Sequence, residues 1–246
     1  MDRLIYTAAS GAKHLLDQQA TTANNLANVG TTGFRAQIDA FRAVPVVGGA
    51  LPTRTFVVGA TVGSDFSAGP LQMTGRALDV AVSGKGWIAL QMPDGSEAYT
   101  RNGALQMNAN GMLQSNAGFA VQGDGGTITV PPEVTVEVAS DGTVSTMATS
   151  NTPGAPTVLG RLKLVNPDEA NLVRGDDGLF RLRDGSAAAA DPLVKVVGGA
   201  LEGSNVSPVD SMVSMITLAR AFETQMSLLK NAENNAAKAT QILALS

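Results

Sequence analysis

The side chains with chemical potential are few, and their spacing argues against most of the reactions they could support. Ser83-Gly84-Lys85-Gly86 places a lysine between glycines, as phosphate-cradling loops do. Such a loop needs its first glycine where this chain has Asp79 and a Ser or Thr where it has Gly86, so the pattern fails twice. His14 is the only histidine and has Asp17 nearby, but without a second imidazole or a thiolate it supplies neither a zinc site nor a Ser-His-Asp triad. A solvated helix face is its expected place. Asp94 and Glu97 offer the two carboxylates of glycoside hydrolysis, yet proximity within one turn is poor support for the defined gap that chemistry requires. Asn108-Ala109-Asn110-Gly111 lacks the acids of a calcium loop. Asp124, Asp141, Asp176-Asp177 and Asp184 stand beside glycines, where acids shape turns. The expectation is no catalytic residue, no metal and no cofactor.

Composition narrows the classes further. The chain has 246 residues, enough for one large domain or two small ones, with 44% apolar residues, only 4% aromatics and 27 glycines, a mixture that implies a core and many turns. A net charge of −4 without clustered Lys or Arg gives no footprint for nucleic acid. The absence of cysteine removes disulfides, thiolate nucleophiles and thiolate-held metals. Met1 to Ala27 lacks the basic stretch and apolar run of a cleaved secretory signal, and no window approaches the roughly 18 apolar residues of a membrane span. The expected protein is soluble, without a membrane span, and leaves the cytoplasm, if it does, by a route that does not use such a signal.

The elements that organise the chain lie at its ends. Ser207-Pro208-Val209-Asp210 is a helix start: a hydroxyl for an orphan N–H, proline at the first helical position and an acid in the first turn. Met212, Met215, Ala219, Phe222, Met226, Leu229, Ala236 and Leu243 then follow one three-and-four spacing, interrupted only by Glu233 and Thr240. At 1.5 Å per residue the predicted helix through Leu245 is on the order of 55 to 60 Å long. Methionines and Phe222 at this spacing form a packed seam more readily than an adaptable recognition groove. Ile216, Leu218, Leu228, Ile242 and Leu245 lie at other angles, so one partner helix does not cover every apolar position. At the other end Asp2 caps a first helix with a weaker seam of Ile5, Ala8, Ala12, Leu15 and Leu26. Paired alone, these helices are marginal, and both ends are expected to be mobile in an isolated subunit and ordered by surrounding copies or relatives.

Between them the texture is β. Leu78 to Val82 alternates, Trp87 to Met92 is an apolar run, and Asn110-Gly111 between Leu105-Gln106-Met107 and Met112-Leu113-Gln114 is the strongest hairpin signal. Further strands are predicted at Leu159 to Val165 and Leu179 to Arg183. Residues 36 to 75, rich in Gly, Pro and Val, read as a connector with brief strands at Val44 to Val47 and Phe56 to Val58. The predicted fold is a mainly β middle domain, small-barrel- or sandwich-like, with a discontinuous α-helical coiled-coil domain made by the N- and C-terminal helices. The predicted divisions are 1–34 with 205–246 for the helices, 35–75 with 185–204 for the connector, and 76–184 for the β domain.

Several strings resemble one family. Asn24-Asn25-Leu26-Ala27-Asn28, followed by Gly33-Phe34-Arg35, is similar to the "NNLANxxTxGF(K/R)" signature of flagellar rod and hook proteins. Thr74 to Trp87 resembles the "TGxxLDxAIxGxGFF" entry to their β domain, with Trp87 in place of the usual Phe. Tyr99-Thr100-Arg101-Asn102-Gly103 resembles "YTRxGxF", with Leu105 where an aromatic is common, and Leu201 to Val206, with Ser204-Asn205-Val206, matches "LExSNV". Met1 to Ala8 is closer to proximal-rod than to distal-rod or hook members. Residues 140 to 160 add nothing to the resemblance. The resemblance implies a structural subunit of the bacterial flagellar basal-body rod, packed through its terminal helices into a helical axial shaft and catalysing nothing. It implies proximal and distal rod proteins and the flagellar (type III) export apparatus as partners, export without a cleaved signal, and assembly in the periplasmic space. The alternatives are a distal-rod or hook-type axial subunit, a carbohydrate-acting enzyme on a helical anchor, or a helical adaptor binding one partner.

Overall fold

Ser207 opens the C-terminal helix as its sequence predicts: its hydroxyl accepts from the Asp210 backbone N–H at 3.4 Å, and Asp210 lies in the first turn. In the computed structural model, which describes residues 2–45, 55–132, 134–148 and 155–244, that helix is α2, Pro208–Ala244, 37 residues. The first helix, α1, is Asp2–Ala27. The chain divides into two units, one made of Met1–Val29, Ala36–Asp65 and Val206–Ser246, the other of Gly30–Arg35 and Phe66–Asn205.

In the first unit α1 and α2 pack in antiparallel sense: Gln225 Nε2 donates to the Ala8 carbonyl at 3.0 Å, while Thr21 and Asn25 share a surface depression with Val213 and Thr217. Ala8 and Ala12 are buried, and small side chains there let the helices approach. The same unit holds an antiparallel pair, β1 (Gln37–Pro45) and β2 (Thr55–Ser64), with a bulge between Ala40 and Phe41. Where composition suggested brief strands in a connector, the pairing runs for nine residues of β1, and both strands contact α1. Gly and Pro frequency obscured a run of β-branched residues that pair across the hairpin. The expected Val44 to Val47 strand falls partly outside the described residues.

The second unit is the β-rich middle. Its strands are β3 (Leu71–Met73), β4 (Val80–Ser83), β5 (Trp87–Gln91), β6 (Glu97–Thr100), β7 (Leu105–Met107), β8 (Leu113–Ser115), β9 (Ala120–Gly123), β10 (Gly126–Thr127) and β11 (Val134–Val138). Then come β12 (Thr143–Ala148), β13 (Thr157–Arg161), β14 (Leu164–Val165), β15 (Leu172–Arg174), β16 (Phe180–Leu182), β17 (Lys195–Gly198) and β18 (Ala200–Glu202). The main sheet runs β15-β16-β6-β5-β9-β8-β7, with β14 also on β5 and β10 on β9; β11-β12-β13 form a second sheet, and β17-β4 and β18-β3 are pairs. Among the described residues the main sheet is an open path, not a closed barrel.

Both faces of β5 are covered, which is why Trp87 to Leu90 reads as an unbroken apolar run instead of an alternation, with polar Gln91 exposed at the strand's end. Ile88 and Leu90 enter a core with Val80, Val82, Leu105, Leu113 and Val121. Trp87 and Ala89 enter another with Tyr99, Val165 and Phe180. Asn110-Gly111 turns the chain from β7 to β8, with Gly111 at φ 75° and Asn108 Oδ1 accepting the N–H groups of Asn110 and Met112 at 2.9 Å. The strand expected at Leu159 to Val165 is two: β13 pairs with β12 and β14 with β5, because the chain changes sheets at Leu162-Lys163. No helix of the described residues is long and apolar enough to cross a membrane.

Candidate functional site

In the second unit three motif strings that lie far apart in sequence converge on one buried ionic cluster. Arg35 Nη2 lies 2.7 Å from Glu202 Oε1, and Arg101 Nε lies 3.0 Å from Glu202 Oε2; all three side chains are 1 to 3% exposed. Arg101 also donates to the Gly86 and Gly84 carbonyls at 2.8 and 2.5 Å, and Glu202 Oε1 accepts the Gly69 N–H at 2.9 Å. Burial, opposed by Glu202 and reinforced by Arg35, pushes the Arg101 guanidinium down to about 10, so it keeps its charge at neutral pH. Two arginines share one carboxylate, so loss of Glu202 would leave both buried guanidiniums uncompensated.

Backbone geometry explains the glycines of those strings. Gly33 has φ 68°, donates to the Glu202 carbonyl at 2.7 Å, and a Cβ there would sit 2.4 Å from the Arg101 carbonyl carbon. At Gly103 a Cβ would meet the Val80 carbonyl oxygen at 1.6 Å, so the loop after β6 crosses β4 only without a side chain. Thr32 Oγ1 bonds Asn102 Oδ1 at 2.9 Å. Phe34 is buried under the Arg174 guanidinium, 4.5 Å from its ring centroid, and Arg174 Nη1 donates to the Arg35 carbonyl at 3.0 Å. Ser204 is buried, and Asn205 reaches the Ser67 carbonyl at 3.1 Å.

In the first unit Asn25 imitates a strand residue. Its Nδ2 donates to the Gln37 carbonyl at 2.9 Å and its Oδ1 accepts the Gln37 N–H at 2.8 Å, so the end of α1 sets the start of β1. Asn28 closes the helix by donating from both backbone and side chain to the Asn24 carbonyl. Leu26 is half-buried, Ala27 exposed and Val206 half-buried.

The residues of the expected seam divide. Ala8 and Ala12 are buried, and Leu15, Met215, Ala219, Phe222 and Leu229 are half-buried. Met212 and Met226 are 53% and 46% exposed, and with Val209, Val213, Ile216 and Leu228 they leave α2 with apolar surface that α1 does not cover. The side chains of Ile5, Ala236 and Leu243 lie outside those described.

The candidates for chemistry are accounted for by local bonding. Glu97 is ion-paired to Lys163 and accepts from the Tyr99 hydroxyl at 3.1 Å, while Asp94 accepts from the Ser96 N–H at 2.9 Å in a turn. Asp141, Asp177 and Asp184 likewise accept the N–H two residues on. Lys85 is exposed and pairs with Glu169 at 3.0 Å. His14 departs from expectation: it is half-buried against Phe41, ring centroids 3.6 Å apart, because β1 covers a helix face that the sequence left open. The sequence shows Arg35, Arg101 and Glu202 inside motif strings without assigning them a role; a charge inside each string was the available signal.

Three family descriptions match in chain order: "Flagella basal body rod protein" over residues 5–35, "Flagellar hook protein FlgE/F/G D1 domain" over 81–146 and "Flagellar basal body rod FlgEFG protein C-terminal" over 197–242. The chain is 46% identical to the flagellar basal-body rod protein FlgF of Salmonella typhimurium strain LT2 and equally to that of Escherichia coli K12, in each case over 100% of both chains. It is 32% identical to the FlgF of Caulobacter vibrioides over 94% of each chain. The matched segments contain the Arg35 string, the Arg101 loop and Glu202, the three parts of the buried cluster, and the chain belongs to the FlgF family of flagellar basal-body rod proteins.

Proposed function

We propose that this protein is a structural subunit of the bacterial flagellar basal-body rod, building a helical axial shaft through its terminal helices and catalysing no reaction. The observation that carries this reading is the apolar surface of α2. Val213, Ile216 and Leu228 are 58%, 56% and 54% exposed on a helix whose other side is already occupied by α1. With Val209 and Met212, Val213 and Ile216 make an i, i+3, i+4, i+7 stripe at the start of α2, and an exposed apolar stripe of this kind is the mark of a protein contact. Head-to-tail repetition of such contacts builds an open helix instead of a closed ring. The neighbours are proximal and distal rod proteins, the site of assembly is the periplasmic rod, and delivery runs through the flagellar export apparatus.

The test separates assembly from folding. Ile216→Asp and Leu228→Asp, both at exposed positions, are expected to abolish swimming and remove the protein from purified basal bodies while leaving the melting temperature of the isolated subunit within about 2 °C of wild type. Basal bodies that contain either variant at wild-type level would overturn the reading.

A further inference from the structure

Beside the buried cluster of the second unit lies a cavity of about 250 Å³. Arg35, Arg101 and Lys85 bring three cations to its lining, against the single carboxylate of Glu169 on that lining and Glu202 behind it. One positive charge is left over. The excess coincides with unused donors: Arg35 Nε and Nη1 are buried and have no hydrogen-bond partner, although the side chain is 1% exposed. A buried guanidinium with two idle N–H groups is a costly arrangement unless something accepts from it. Arg101 Nε is 3.0 Å from Glu202 Oε2 without a hydrogen bond between them, so three buried N–H donors of the two arginines stand against one idle carboxylate oxygen. Asn166 adds an amide to the lining, and Phe66 and Trp87 give it apolar walls.

We propose that this cavity is a binding site for one small oxyanion of the carboxylate or phosphate class, held by the Arg35 and Arg101 guanidiniums with Lys85 at the mouth. Planar guanidiniums match the paired oxygens of such anions. Glu169 competes with the anion for Lys85, which gives the site two levers of opposite sign. The oxyanion comes either from solution or from an acidic side chain of an adjoining subunit.

Trp87 is the only tryptophan of the chain and lines the cavity, so its fluorescence reports occupancy directly. The full-length protein is titrated at pH 7 with inorganic phosphate and with acetate at constant ionic strength, chloride making up the balance. A saturable change in Trp87 emission is expected. Lys85→Glu should weaken it about fivefold or more and Glu169→Gln should tighten it, as removal or release of a mouth charge requires. Both variants lie at side chains 77% and 40% exposed, and their circular dichroism should match wild type. No saturable response, or the same affinity in wild type and both variants, overturns the proposal. With binding established, swimming retained by Lys85→Glu cells assigns the site to a free anion, and swimming lost assigns it to a neighbour's acidic side chain.

Discussion

Arg35 and Glu202 stand 167 positions apart in the chain and 2.7 Å apart in space, each 1% exposed. Their pairing brings the segment that follows α1 and the segment that precedes α2 together within the β-rich unit. The two ends of that unit are therefore closed by an ion pair as well as by the Gly33 N–H bonded to the Glu202 carbonyl at 2.7 Å.

Removing the one carboxylate leaves two buried guanidiniums facing each other. Glu202→Gln is expected to destabilise the β-rich unit by about 3 to 5 kcal/mol, the usual cost of breaking a buried pair from one side. Urea unfolding followed by Trp87 emission measures it, and a loss under about 1 kcal/mol would show that the cluster is peripheral to stability.

The loop after β6 has room for no methyl group at Gly103. Gly103→Ala should cost about 3 kcal/mol or more, since backbone must shift to relieve a contact of 1.6 Å with the Val80 carbonyl. Gly125→Ala is the control: a Cβ there meets nothing within 4 Å, and the change should stay within about 0.5 kcal/mol. Equal effects at the two positions would contradict the crossing of β4 by this loop.

Asn25 joins helix to hairpin through two hydrogen bonds to Gln37. Asn25→Ala removes both and is expected to cost about 1 to 3 kcal/mol. Amide exchange of β1 should rise while that of β5 stays unchanged, since the two strands lie in different units. Uniform loss of protection in both would refute a local role.

Acid should weaken the β-rich unit. The Arg181 guanidinium, bonded to Asp177, holds that carboxyl below its usual range, and serine or threonine donors do the same for Asp94, Asp141 and Asp184. A carboxyl whose folded pKa is depressed contributes stability that is complete above the unfolded value of about 3.9 and is lost as pH falls through the folded value. The expected profile from these groups is flat between about pH 7 and 5 and declines below about pH 4. Asp177→Asn should make the decline shallower, and an unchanged acid slope in that variant would exclude the Arg181 pair as a contributor. At the alkaline end burial raises the Tyr99 hydroxyl to about 12, which absorbance titration of a Tyr6→Phe variant isolates.

Much of this architecture was local enough to read in one dimension. The start of α2 is written in Ser207-Pro208 and Asp210, its length in a spacing that no glycine or proline interrupts, and the β7–β8 turn in Asn110-Gly111, because caps, helical periodicity and positive φ depend on residues a few positions apart. The recurrence of four motif strings in order pointed to the family for the same reason. Tertiary structure alone decided which strands share a sheet, so that Leu159 to Val165 is shared between two sheets. It also decided that β1 covers His14, which residues of α2 stay exposed once α1 is in place, and that Arg35, Arg101 and Glu202 meet. Those outcomes depend on distances between segments far apart in the chain, and a buried charge acquires its role only from the partner that folding brings to it.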